Sequence, residues 1–221
     1  MFGVGAVGAL GVMLIAATGG ASPVPPAEVP VAPPSPPGCR ETLRAKQIKH
    51  RPWPLRPQHL PSGVTCEAPD GVAITRGANV RFQPPARVNC AFALRLLRFE
   101  AVMQEEAQRL LGSPVRALIQ LGTYNCRRMA AYPDLVSEHS FANAIDIATF
   151  VLVNGRTVVV ERDWVKADQP ATTPAARFLR RLTRRLYDEQ VFSVVLPPSY
   201  DRHHRNHLHL DGAAYSVDGT I

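Results

Sequence analysis

Lysine and arginine are absent from the first 38 residues, where Glu28 is the single charged side chain. The chain also lacks any C-x-x-C pair, has no evident internal repeat, and contains one long apolar run only. Each absence narrows the class. One run is too few for a polytopic membrane protein, and cysteines without a C-x-x-C pair argue against a cysteine-ligated zinc site. At 221 residues and 46% hydrophobic content the chain is neither collagen-like nor wholly disordered, and it can bury the core of one domain. Of the 25 basic and 18 acidic residues, all 25 basic and 17 acidic ones fall in residues 39–221, so that part carries +8. A basic surface suits an anionic partner: nucleic acid, an anionic membrane or a bacterial cell wall, among which charge alone does not choose.

Residues 1–22 hold the apolar run, centred on Leu10, Val12, Met13, Leu14 and Ile15 and ending in small residues. It reads as a secretory signal peptide or a membrane anchor, and its length near the lower limit for a span favours cleavage. Residues 23–38 are a Pro-rich tether, with eight prolines among the sixteen residues from Ser22 to Pro37, which neither pairs backbone donors nor buries a core. Residues 39–221 are the domain. Its four cysteines, Cys39, Cys66, Cys90 and Cys126, lie downstream of an export signal and imply two disulfides in an oxidising compartment. This points to the periplasm or cell envelope and away from nucleic acid. Three connectivities are open; Cys39 with Cys66 and Cys90 with Cys126 is the expected one, since the first pair would pin an irregular N-terminal stretch.

Within the domain, residues 40–87 are rich in Pro and Gly and read as a wrapping segment, with short strands near Val72–Thr75 and Asn79–Phe82. Asn89 and Gly112 punctuate a helix carrying Leu96, Phe99, Met103, Ala107 and Leu110 at helical spacing. Residues 115–121 alternate as a strand, and residues 144–153 and 156–161 flank Asn154-Gly155 as a hairpin. Thr173-Pro174 opens a second helix whose outer arginines, Arg180, Arg181, Arg184 and Arg185, form a solvated face or grip an anionic partner. Residues 191–196 and 207–211 are strands. The expected class is α+β, an antiparallel sheet with flanking helices.

The chemistry gathers in two stretches. In S137-E-H139-S-F-A-N-A-I-D146 a His and an Asp stand seven apart where a strand begins. In H203-H-R-N-H207-L-H209-L-D211, alternation sends His207, His209 and Asp211 to one face and Leu208 and Leu210 to the core. Two imidazoles and a carboxylate suit zinc with one position left for an acidified water. Alone, either motif is more often a structural feature than a site; together, with four of the seven histidines inside 203–209, they are far more specific.

These stretches resemble the LAS group of zinc metallopeptidases, the D-alanyl-D-alanine carboxypeptidase-like enzymes, and more closely the bacterial extensin-like C-terminal domain family, through GTYNCR, SEHSFANAIDIATF and HRNHLHLD. The resemblance spans roughly residues 39–212. It implies a LAS metallopeptidase-like fold with His139, Asp146 and His209 as zinc ligands, and His207 as an acid/base group. It also implies that Arg127 lies beside the scissile carbonyl or a substrate carboxylate, and that Ser137 binds substrate or orients a ligand. Two positions depart from the group: Ala142 stands where a glycine is common, and Asn206 stands where the carboxypeptidases place a general-base carboxylate. Either His207 takes the base role or the domain binds metal without efficient turnover. Glu138 is a fallback base, although neighbours on an extended chain point apart, and His203 and His204 are expected at the periphery. The implied function is an exported zinc peptidase cleaving D-amino-acid peptide bonds in peptidoglycan stem peptides or cross-links. The competing function is a non-catalytic wall-binding module with zinc as a staple.

Overall fold

The computed structural model describes residues 32–220. The expected export or anchor segment and the expected tether up to residue 31 lie outside the described residues. From Ala32 onward the end of the Pro-rich stretch is docked: Ala32 packs on the Val64, Val136 and Phe141 cluster, and the Ser35 hydroxyl accepts from the Ala91 N–H at 3.0 Å. No helix among the described residues is long and apolar enough to cross a membrane.

The elements in chain order are α1 (Cys39–Ala45), β1 (Lys49–Pro52), β2 (Gln58–His59), β3 (Thr65–Cys66), β4 (Val72–Arg76), β5 (Arg81–Val88), α2 (Cys90–Leu111), β6 (Val115–Gly122), β7 (Ala144–Leu152), β8 (Thr157–Val159), α3 (Val160–Asp163), α4 (Pro174–Asp188), β9 (Val194–Leu196), β10 (Leu208–Asp211) and β11 (Val217–Asp218). Nine strands form one sheet in the order β1-β4-β5-β6-β7-β10-β9-β11, with β8 also paired to β7. All of its pairs are antiparallel except β5 with β6 and β9 with β11. The protein is thus α+β with a large, mostly antiparallel sheet.

The two long helices start and stop where local chemistry dictates. The Asn89 side chain accepts from the Phe92 N–H at 2.7 Å, and Gly112 closes α2 in the left-handed region at φ 66°, which glycine enters without a Cβ clash. Thr173 caps α4 through the Ala176 N–H, and Pro174 occupies the first turn, where its missing donor is not needed. Phe92, Phe99 and Phe192 meet edge to face or tilted, as do Phe150 and Phe178, so one core joins α2, α4 and the inner face of the sheet.

Residues 40–87 do not merely wrap the fold. Within them β4 and β5 are integral strands of the main sheet and β1 is its edge, because Val72, Ile74, Phe82, Ala86 and Val88 feed the core. The prolines that read as breakers are accommodated by a change of partner: Arg81–Gln83 pairs with β6, and the ladder to β4 resumes at Ala86, beyond Pro84 and Pro85. The second arm of the hairpin is also shorter than expected. The Asp163 carboxylate accepts from the Val159 N–H at 2.8 Å and draws residues 160–163 into a helical turn.

The disulfide pairing differs from the expected one. Cys39 joins Cys90 and Cys66 joins Cys126, and no cysteine is free. The first bond ties α1 to the start of α2, and the second ties β3 to the loop after β6. Both partners of each bond are set by how the N-terminal segment lies on the sheet, which spacing along the chain does not encode. Two disulfides indicate an exported or otherwise oxidising environment.

Candidate metal centre and cleft

The site begins with strand alternation. Ile145 and Ile147 of β7, like Leu208 and Leu210 of β10, enter the core, which turns Asp146, His209 and Asp211 to the other face. Antiparallel register then sets His209 directly opposite Asp146, and its Nδ1 lies 3.0 Å from Asp146 Oδ1. His139 arrives from the 3-10 turn Glu138–Phe141, and its Nε2 lies 3.2 Å from Asp146 Oδ2 and 3.2 Å from His209 Nδ1. The turn ends at Ala142, which adopts φ 51° and ψ 36°. That left-handed backbone explains why glycine suits the position. His139, Asp146 and His209 therefore present three donor atoms, all within 4.8 Å of one another, that could hold a metal ion.

Supporting groups surround the three. Asp211 Oδ2 accepts from His209 Nε2 at 2.9 Å, which directs the Nδ1 lone pair toward the cluster. His207 Nε2 stands 3.4 Å from Asp146 Oδ1, while its Nδ1 meets Asn206 Oδ1 at 2.9 Å. An amide oxygen only accepts, so Asn206 fixes the proton on Nδ1 and leaves Nε2 as the basic nitrogen. His204 is anchored to Asp201 at 2.7 Å, and its ring lies tilted against His207 and edge-on to His209, whereas His203 is exposed on the rim.

Electrostatics follow the burial and the carboxylates. Burial would raise the Asp146 carboxyl, but the neighbouring His139 and His209 hold it well below its ordinary range. Burial opposes a charge on His209, and Asp146 and Asp211 overcome it and raise its pKa. Two carboxylates around one imidazole thus create a place that favours a positive charge. Burial pushes His207 down to about 4 against the pull of Asp146, and burial lifts Glu138 to about 7 despite its hydrogen bond from Asn143 at 2.6 Å.

Asp146, His207, His209 and Asp211 line a cavity of about 330 Å³ that also takes in Arg127, Ser137 and Glu138. Arg127 sits on the loop after β6, held by Ser140, whose hydroxyl accepts from the Arg127 N–H at 3.0 Å and donates to its carbonyl at 2.9 Å. The Ser137 N–H donates to the same carbonyl at 3.1 Å. The sequence-predicted residues are therefore brought together. Glu138, expected to point away as the neighbour of His139 on an extended chain, faces the cleft because a 3-10 turn carries both residues. The apolar wall is barely legible in the sequence. Of the six large apolar side chains exposed among the described residues, Tyr132, Leu135, Tyr200 and Tyr215 line this one cleft. Exposed apolar groups gathered in a concavity mark a ligand site, and the only hint in the sequence was the Tyr-Pro-Asp-Leu run in a loop.

Neither the curated proteins nor the solved structures contain a match to this chain. A family model does match, over residues 38–220, and it describes the extensin-like protein C-terminus. That span takes in both disulfides, the whole sheet and every residue of the cleft, so the chain belongs to the extensin-like protein C-terminal family.

Proposed function

We propose that the protein is an exported zinc-dependent peptidase of the periplasm or cell envelope, acting on D-amino-acid peptide bonds in peptidoglycan stem peptides or cross-links. One observation carries the reading: a His-Asp-His cluster opens onto a cleft that also holds a neutral imidazole, a guanidinium and an apolar wall. The LAS-like arrangement of the motifs supports the substrate class.

The residues fit zinc. Bonds of about 2.0–2.1 Å in a tetrahedron place ligand atoms roughly 3.3 Å apart, close to the 3.2 Å between His139 Nε2 and His209 Nδ1, each of which lies 3.0–3.2 Å from a different oxygen of the Asp146 carboxylate. When bound, zinc supplies Lewis-acid chemistry, making water more acidic and a carbonyl more electrophilic. His207 accepts a proton at Nε2 and returns it to the departing amine, with Asn206 holding its tautomer. Arg127 offsets negative charge that develops on the carbonyl oxygen or already sits on a terminal carboxylate. Ser137 contributes a hydroxyl on the same wall, and the tyrosines with Leu135 cover the substrate and exclude water.

Digestion of purified muropeptides, with and without chelator and read by mass spectrometry, tests the proposal. Chelator-sensitive cleavage is expected, with near-stoichiometric zinc that is lost in His139→Ala and His209→Ala. Full zinc occupancy in both variants removes the site. A second reading, a wall-binding module in which the metal is a staple, draws on Asn206 occupying the place of a carboxylate base. Zinc-loaded protein that binds wall but cleaves no muropeptide establishes it instead.

A further inference from the structure

The arginines of α4 end up neither freely solvated nor fully neutralised. Together with Arg109 of α2, Arg177, Arg180, Arg181 and Arg184 line a second concavity of about 440 Å³ beside Trp164, and no acidic side chain lines it. The five guanidinium groups are fixed in different ways. Arg177 donates to the Thr172 carbonyl at 2.5 Å, and Arg180 to the Gln169 carbonyl at 2.7 Å, so backbone oxygens orient both without cancelling their charge. Arg109 and Arg181 share the single buried carboxylate of Glu106, which also serves Arg185. Only Arg184 has carboxylates to itself, from Asp188 and Asp218. Each guanidinium has five N–H donors in a fixed fork, and these contacts leave most of them unused. Trp164 packs on the core and gives the groove an apolar floor, and its indole N–H has no hydrogen-bond partner among the described residues.

We infer that this groove is a second binding site, for a linear phosphate-bearing polyanion. Preoriented, under-compensated arginines match phosphate oxygens in forked pairs, and several of them in one groove call for several anionic groups in a row. The concave shape, walled by two helices, suits a chain lying within it more than the plane of a membrane. The site is distinct from the metal cleft, with which it shares no lining residue. It stands whether or not the chain is a peptidase.

Titration calorimetry of the full chain with sodium tripolyphosphate tests it. Binding is expected at low salt and should weaken about tenfold between 50 and 300 mM salt. Arg177→Gln/Arg180→Gln, which removes charges paired only with backbone, should weaken it about tenfold while the melting temperature and bound metal are unchanged. If the double variant fails to fold, Arg177→Lys alone, which keeps the charge and loses the fork, should still weaken binding. Absence of tripolyphosphate binding by wild type, or equal binding by the variants, overturns the inference. So does binding to phosphatidylglycerol vesicles with none to tripolyphosphate, which would make the surface a membrane contact.

Discussion

Replacing Cys66 and Cys126 together by alanine tests the architecture of the cleft loop most directly. The bond closes a sequence separation of 60 residues, for which the chain-entropy relation gives about 4 kcal/mol at 25 °C. The loops 39–90 and 66–126 overlap, so the surviving Cys39–Cys90 bond already shortens the free path, but the dependence is logarithmic and the figure changes by only ~0.2 kcal/mol. With a urea slope of roughly 2 kcal/mol per molar, the unfolding midpoint should fall by about 2 M. Metal binding should persist, because His139, Asp146 and His209 are placed by the strands and the 3-10 turn. Cleavage should drop more than metal content does, since Arg127 directly follows Cys126 and is then held by its backbone contacts to Ser137 and Ser140 and a bond from its guanidinium to the neighbouring Arg128 carbonyl. The assays are urea unfolding by circular dichroism, metal analysis and muropeptide turnover on one preparation. A midpoint shift under ~0.5 M, far below the loop-closure figure, refutes the reasoning. A non-reducing peptide map that joins Cys39 to Cys66 also refutes it.

Asn206→Asp keeps an acceptor for His207 Nδ1 and should preserve or raise turnover, whereas Asn206→Leu should lower kcat by about tenfold or more with zinc retained; His207→Ala and Arg127→Ala should each cost roughly 10². Glu106 is held below its ordinary pKa of 4.5 because its hydrogen bonds from Arg185 and Arg109 outweigh its burial. Its contribution to stability is therefore complete above pH 4.5 and is lost as pH falls through the lower folded value, so melting temperatures of Glu106→Gln and wild type should differ most near neutrality and converge in acid. At Ala142, relief of about 1–2 kcal/mol of left-handed strain in Ala142→Gly is offset by lost methyl burial and added chain entropy, so thermal unfolding should change little; Ala142→Val, branched at Cβ in that backbone, should be strongly destabilised.

The helices and the chemistry-bearing strand faces were legible because their causes are local. Asn89, Gly112 and Thr173-Pro174 act within one turn of the residues they cap. Alternation around Asp146 and His209 sorts core from cleft with no knowledge of partners. Residues 40–87 read as wrapping, with short strands near 72–75 and 79–82, for the opposite reason: Pro84 and Pro85 break a strand by every local rule, and only pairing to β4 and β6 makes residues 81–88 one strand.

The sequence by itself determined that the His and Asp side chains of the candidate metal site lie in residues 137–146 and 203–211, and that Asp146, His209 and Asp211 face away from the core, since side-chain type and period are properties of the chain. The tertiary structure decided which cysteines meet, that Glu138 turns into the cleft, that four exposed apolar side chains gather on one wall, and that arginines from two helices share one groove. Those outcomes depend on register and packing between segments tens of residues apart, as in His209 against Asp146 or Cys66 against Cys126. Such pairings follow from the summed fit of a whole sheet and core, which no local spacing contains.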